Sequence, residues 1–105
     1  FLEAFSKGAK EVIANPAAAI EHVKARDGII NIALETRRLK LAIDSVINST
    51  DARSEGFGQA QAPRLALMAS QVSDAFSTKT RVNASAIWSG QFLPDAKTLD
   101  ILPKR

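Results

Sequence analysis

The stretch INIALETRRLKLAIDSVI, residues 30–47, decides the fold of this chain. Its apolar residues recur every three or four positions, which is the spacing of an α-helix rather than a β-strand. One apolar stripe comprises Leu39, Ala42, Ile43, Val46 and Ile47, and a second, nearly opposite, comprises Ile30, Leu34 and Leu41. A helix that is apolar on two sides is usually covered on two sides. We therefore predict a long helix from about Ile30 to Ile47 with more apolar surface than a few short helices can cover.

Helical spacing continues before this stretch, and no segment of the chain shows convincing strand alternation. A first helix has one apolar face formed by Leu2, Phe5, Ala9, Val12 and Ile13. Asn15 is a good helix cap and Pro16 suits a first helical position, so a second helix begins there. Gly28 is the expected stop of that second helix.

After the long helix, residues 49–61 are predicted to form a polar loop in which Gly56 and Gly58 permit positive φ angles. Phe57 between them is expected to fill an apolar gap. A fourth helix opens at Pro63, and its predicted buried face comprises Leu65, Met68, Ala69, Val72 and Phe76. Asn83 is expected to cap a final short turn that holds Ile87 and Trp88. The predicted fold class is therefore all-α, with about four to five helices.

The carboxy-terminal end of the chain contains large apolar residues. Beyond Pro94 it keeps Leu99, Ile101 and Leu102, which require a surface to pack on unless the tail is mobile.

Composition excludes several classes of function. The chain has 105 residues, 46% of them hydrophobic, and no apolar run approaches the roughly 20 residues that cross a bilayer. No cysteine is present, so disulfides and thiolate metal sites are excluded. The net charge of +3 is spread along the chain rather than clustered with aromatic residues, so nucleic-acid binding is not expected.

Catalytic chemistry finds no support in the sequence. The single histidine, His22, has no second histidine or cysteine nearby to share a metal and no partner for acid–base work. No catalytic residue, metal or cofactor is therefore predicted. Trp88 is expected to pack in a core or against another lobe rather than to serve as a stacking platform.

Glu35 is the one unusual charge, because it lies on the apolar side of the long helix. Arg38, three residues later, is its natural partner, with Arg64 as a distant alternative. A structural ion pair is the leading interpretation, and the alternative is that Glu35 faces a ligand cleft or hinge.

The order and spacing of several motifs resemble the carboxy-terminal part of NMT1/THI5-like periplasmic substrate-binding proteins of ABC importers. The motifs are FLEAF at residues 1–5, KGAK at 7–10, ANPAAA at 14–19, ETRRLKLAID at 35–44, GFG at 56–58, PRL at 63–65 and FLP at 92–94. Gln61-Ala62 stands where that family usually has an acidic residue or Asn before the Pro-Arg-Leu helix.

The resemblance implies a fragment of a two-lobed α/β fold of the type II periplasmic-binding-protein class. Residues 1–94 would be the helical carboxy-terminal segment and residues 95–105 a tail. The ligand would be a thiamine-pyrimidine precursor or a small molecule of the nitrate, sulfonate or taurine type, with Glu35 and Arg38 as candidate contacts. The partner would be the permease of the importer, and the location would be the periplasm.

Three further expectations accompany this resemblance. The start at Phe1, without an initiator Met, is interpreted as a processed piece or a truncated product, whose uncovered apolar faces would favour self-association. Fungal proteins of the same fold make the thiamine pyrimidine, but that chemistry would need a supported histidine, which His22 is not. The remaining alternative is a freestanding helical protein-interaction module.

Overall fold

The computed structural model describes residues 1–104, and within that range it contains six α-helices and no β-strand. The all-α prediction is therefore confirmed. The helices are α1 (Leu2–Ala14), α2 (Pro16–Arg26), α3 (Ile32–Ala42), α4 (Thr50–Glu55), α5 (Ala62–Ala75) and α6 (Ala96–Leu99). A π-helical turn, Ile43–Ile47, continues α3, and a 3₁₀ turn occupies Ala84–Ala86. Among these described residues, no helix combines the length and the apolar character needed to cross a membrane.

The chain divides into two compact units. Unit 1 comprises residues 1–58 together with residues 94–104, so it holds α1 to α4 and α6. Unit 2 comprises residues 59–93 and holds α5 and the 3₁₀ turn.

The first two helix boundaries in unit 1 follow from local capping. The Asn15 side-chain oxygen accepts a hydrogen bond from the backbone N–H of Ala18 at 3.2 Å, and Pro16 occupies the first turn of α2, as predicted. Helix α2 ends at Arg26 with Asp27 as its extended C-cap, so the predicted stop, Gly28, is the residue directly after the cap.

The long helix differs from its prediction at both ends. It begins at Ile32 rather than Ile30, because the Asn31 side chain caps the N–H of Leu34 at 3.0 Å while the Ile30 carbonyl accepts from Lys24 Nζ at 2.8 Å. Its last five residues form the π-helical turn, which closes with a 2.8 Å hydrogen bond from the N–H of Asn48 to the carbonyl of Ile43.

Helix α4 corrects the prediction of a continuous polar loop over residues 49–61. The Ser49 hydroxyl oxygen accepts from the N–H of Ala52 at 3.1 Å, which stabilises the first turn of a six-residue helix. Gly56 ends this helix with φ of 96°, and Gly58 has φ of 88°, so both glycines adopt the predicted positive values. Phe57 between them is half-buried.

The carboxy-terminal segment packs in unit 1. Leu99, Ile101 and Leu102 are 1%, 3% and 7% exposed. Of the two alternatives for these residues, packing on a surface or a mobile tail, the structure shows packing. Helix α6 begins at Ala96 and is capped by Asp95, whose side chain accepts from the N–H of Thr98 at 2.8 Å, and the helix contacts α1.

In unit 2, the predicted buried face of α5 is wrong for three of its five residues. Met68, Val72 and Phe76 are 45%, 48% and 78% exposed, whereas Leu65 and Ala69 are half-buried and Ser73 is buried. The 3₁₀ turn contacts α5, but a three-residue turn is too small to cover the apolar face of a 14-residue helix.

The 3₁₀ turn of unit 2 is capped as predicted, since the Asn83 side chain accepts from the N–H of Ser85 at 3.1 Å. The turn ends before Ile87 and Trp88, which the prediction had placed inside it. Trp88 is half-buried and lies over Gly90, where a Cβ would come within 2.6 Å of the indole ring. This close approach agrees with a packing role for Trp88.

Candidate functional site

The candidate site is an apolar groove in unit 1, with a volume of about 370 Å³. One wall is the predicted apolar face of α1, and the other is the first stripe of α3 and its π-helical turn. The eight lining residues are Phe5, Gly8, Ala9, Val12 and Ile13 on one wall and Leu39, Ile43 and Ile47 on the other. Both sets recur at three- and four-residue intervals, so the helical periodicity of the sequence builds the groove directly.

A row of three phenylalanine rings extends this apolar surface. Phe5 stacks on Phe57 with ring centroids 6.4 Å apart and an interplanar angle of 9°, and it stacks on Phe1 at the same distance and 28°. Phe1 is 98% exposed and Phe5 56% exposed, although aromatic rings gain most of their stabilising effect when they are buried. The row thus links the groove to the Gly56–Gly58 turn while leaving its own outer end open.

The chemistry available in the groove is limited to packing. None of its eight lining residues is titratable or nucleophilic, so the groove can bury apolar surface but cannot transfer protons or form a covalent intermediate. Within residues 1–104, no group of three or more His, Asp or Glu side chains is placed to hold a metal ion. His22 lies exposed on α2.

Glu35 and Arg38, the candidate ligand contacts, are brought together on α3. Arg38 Nη1 donates to Glu35 Oε1 at 2.8 Å, with the Arg38 side chain 65% exposed and that of Glu35 28% exposed. The local partner predicted for Glu35 is therefore present. Neither residue lines the apolar groove, so a ligand role for this pair would be separate from the packing role of the groove.

Two exposed charged residues of unit 1, Lys7 in α1 and Asp95 directly before α6, have shifted pKa values. Lys7 Nζ donates to Glu3 Oε1 at 2.6 Å, and this hydrogen bond raises the pKa of Lys7 above its usual 10.5. The Thr98 side chain and backbone N–H both hydrogen-bond the Asp95 carboxylate, which lowers the pKa of Asp95 below its usual 3.8. The Glu3–Lys7 pair lies along α1, and Asp95 is the N-cap of α6.

Sequence reasoning identified both walls of the groove but not the groove itself. The two stripes can be recognised in the sequence as periodic apolar residues. Whether they face each other depends on the turns at Asn15 and Asn31. The role of Arg53 was also missed: its Nε donates to Asn48 Oδ1 at 2.7 Å and its Nη1 to the Pro103 carbonyl at 3.2 Å. An arginine in a segment expected to be a loop gives no signal of such contacts.

Comparison of the chain with protein-family models, curated protein sequences and solved structures gives no match. The class that the fold and the groove define is thus a helical protein with apolar surface available for noncovalent packing.

Proposed function

We propose that this chain is the carboxy-terminal helical portion of an extracytoplasmic solute-binding component of an ABC importer. Its ligand would be a thiamine-pyrimidine precursor or a small molecule of the nitrate, sulfonate or taurine type. The proposal rests on the ordered motifs from FLEAF at residues 1–5 to FLP at residues 92–94. It also accounts for the apolar surface that the helices leave open.

That open surface is the single structural observation that carries the proposal. Leu41 and Val46 on the long helix are 66% and 74% exposed, and Phe76 at the end of α5 is 78% exposed. Burying one such side chain fully is worth about 1.5–3 kcal/mol. We take these exposed apolar side chains, two in unit 1 and one in unit 2, as surface that another protein segment would cover. In the proposal, that segment is the α/β portion of the same binding protein.

The function would be noncovalent capture, with no chemical reaction. A two-lobed protein binds by shifting towards a closed state in which the ligand makes additional contacts. Glu35 and Arg38 are the proposed contributions of this chain to those contacts, while most ligand contacts would come from the α/β portion. The closed protein would then deliver its ligand to the importer's permease in the periplasm.

Calorimetry tests this proposal on two proteins, the 105-residue chain and the product of the complete gene. The complete protein should bind one of three probes (a thiamine-pyrimidine precursor, taurine or nitrate), because both lobes are then present. The isolated chain should bind none of them, because a cleft needs two lobes. Micromolar binding of a probe by the isolated chain would contradict the proposal, and binding of none by the complete protein would contradict the ligand class.

A further inference from the structure

The core of unit 1 depends on the last residues of the chain. Among residues 1–104 only five apolar side chains are buried, and three of them, Leu99, Ile101 and Leu102, lie after Pro94. The other two are Ile20 and Ile43, from α2 and the π-helical turn. The first 58 residues therefore supply fewer fully buried apolar side chains to unit 1 than the short carboxy-terminal segment does.

This segment is held by backbone contacts as well as by apolar packing. The N–H of Phe57 donates to the Leu99 carbonyl at 2.9 Å, and Arg53 Nη1 donates to the Pro103 carbonyl at 3.2 Å. Gly56 lies so close to Leu99 that a Cβ at Gly56 would be 2.9 Å from the Leu99 Cβ. Helix α6 also contacts α1. The segment thus touches both the first helix of unit 1 and the end of α4.

These contacts join parts of the chain that are far apart in sequence. Residues 59–93 separate the Gly56–Gly58 turn from the carboxy-terminal segment, and they form unit 2. Contacts between distant residues form only after the entropy of closing the intervening loop has been overcome. They also slow folding relative to local helix contacts.

We propose that residues 95–104 form a carboxy-terminal clasp. Helices α1 and α4 hold their packed positions only while the clasp is docked, so unit 1 is fully folded only when residues 95–104 are packed against it. The clasp involves unit 1 alone. The proposal of a clasp is therefore independent of whether the chain belongs to a solute-binding protein.

Hydrogen exchange followed by mass spectrometry on the full chain tests the clasp. Leu99→Ala removes apolar contacts from its most buried residue, and Leu41→Ala, on a side chain that is 66% exposed, is the matched control. Leu99→Ala should speed exchange at least tenfold in α1 and α4, as well as in residues 95–104. Leu41→Ala should leave exchange in α1 and α4 within twofold of the original chain.

A second pair of substitutions, with smaller changes in side-chain volume, tests the clasp if the Leu99→Ala variant does not fold. Ile101→Val removes one methylene-sized group from a residue that is 3% exposed, and Ile29→Val makes the same change where the side chain is 93% exposed. Ile101→Val should speed exchange in α1 at least twofold, and Ile29→Val should not. Faster exchange confined to residues 95–104 in Leu99→Ala or, if that variant does not fold, in Ile101→Val would overturn the clasp.

Discussion

The backbone N–H of Phe57 donates a 2.9 Å hydrogen bond to the carbonyl of Leu99, and the adjacent Gly56 leaves no room for a Cβ against the Leu99 side chain. This relationship joins the GFG turn to the last helix of the chain. The turn therefore has a definite structural partner, since its positive φ angles bring the backbone close enough for Leu99 to be only 1% exposed.

Replacing Leu99 by Ala should lower the free energy of unfolding by about 2–5 kcal/mol, the range for truncating a well-buried leucine. Leu41→Ala, at a side chain that is 66% exposed, should change it by less than about 0.5 kcal/mol. Urea denaturation of the chain and of both variants measures the difference. Equal effects of the two substitutions would show that Leu99 is not part of a packed core.

Alanine at two different glycines should have opposite effects. Gly56→Ala should destabilise the chain by more than about 1 kcal/mol, because φ is 96° and the new Cβ meets Leu99. Gly8→Ala should stabilise it by about 0.5–1 kcal/mol, because Gly8 lies inside α1 with nothing within 4 Å of the added methyl group. Thermal unfolding gives the sign of each change, and a stabilising Gly56→Ala would contradict the described turn.

The cap of α6 should make stability depend on pH. A carboxyl whose folded pKa is lowered adds stability that is present above its unfolded pKa and lost as pH falls through the folded pKa. Because Thr98 lowers the pKa of Asp95 below 3.8, the cap should weaken in acid. Asp95→Asn keeps a capping oxygen without a titrating group.

The measurement for Asp95 is the difference in melting temperature between the original chain and Asp95→Asn from pH 7 down to pH 2. The original chain should lose its advantage over the variant as pH falls below 3.8. Other carboxyl groups titrate equally in both proteins, so they cancel from the difference. A difference that stays constant with pH would mean that the Asp95 carboxylate is not the cap.

The Glu35–Arg38 pair should contribute little to stability. Arg38 is 65% exposed, and ion pairs of this spacing on helices contribute about 0.2–0.5 kcal/mol. Glu35→Gln should therefore change the free energy of unfolding by less than about 1 kcal/mol, and the proposed ligand contact predicts that it lowers ligand affinity in the complete protein. Arg37→Gln, on the same helix, is the control for both readouts. An unchanged affinity in Glu35→Gln would leave the pair a purely structural one.

Local sequence signals predicted most of the helices because their causes are local. Asn15 with Pro16 and the paired glycines around Phe57 act within a few residues, so they could be recognised without a structure. Ser49 is a similar local cap, but the polar composition of residues 49–61 favoured the prediction of a loop there. The long helix starts two residues later than predicted because Asn31 caps it and Lys24, from another helix, binds the Ile30 carbonyl.

The packing could not be predicted to the same extent, because it depends on contacts between distant residues. The stripe of α5 has the same periodicity as that of α1, yet Phe76 is 78% exposed, while Leu99, Ile101 and Leu102 are buried. Periodicity identifies which residues share a face, but it does not identify what covers that face. The groove and the buried carboxy-terminal residues both depend on such contacts between distant parts of the chain.

The nucleotide sequence upstream of the Phe1 codon tests the proposed function most directly. The proposal predicts an open reading frame that continues upstream through two lobes of alternating strands and helices to a secretory signal peptide. A start codon immediately before Phe1 would contradict it and would favour a freestanding helical interaction module.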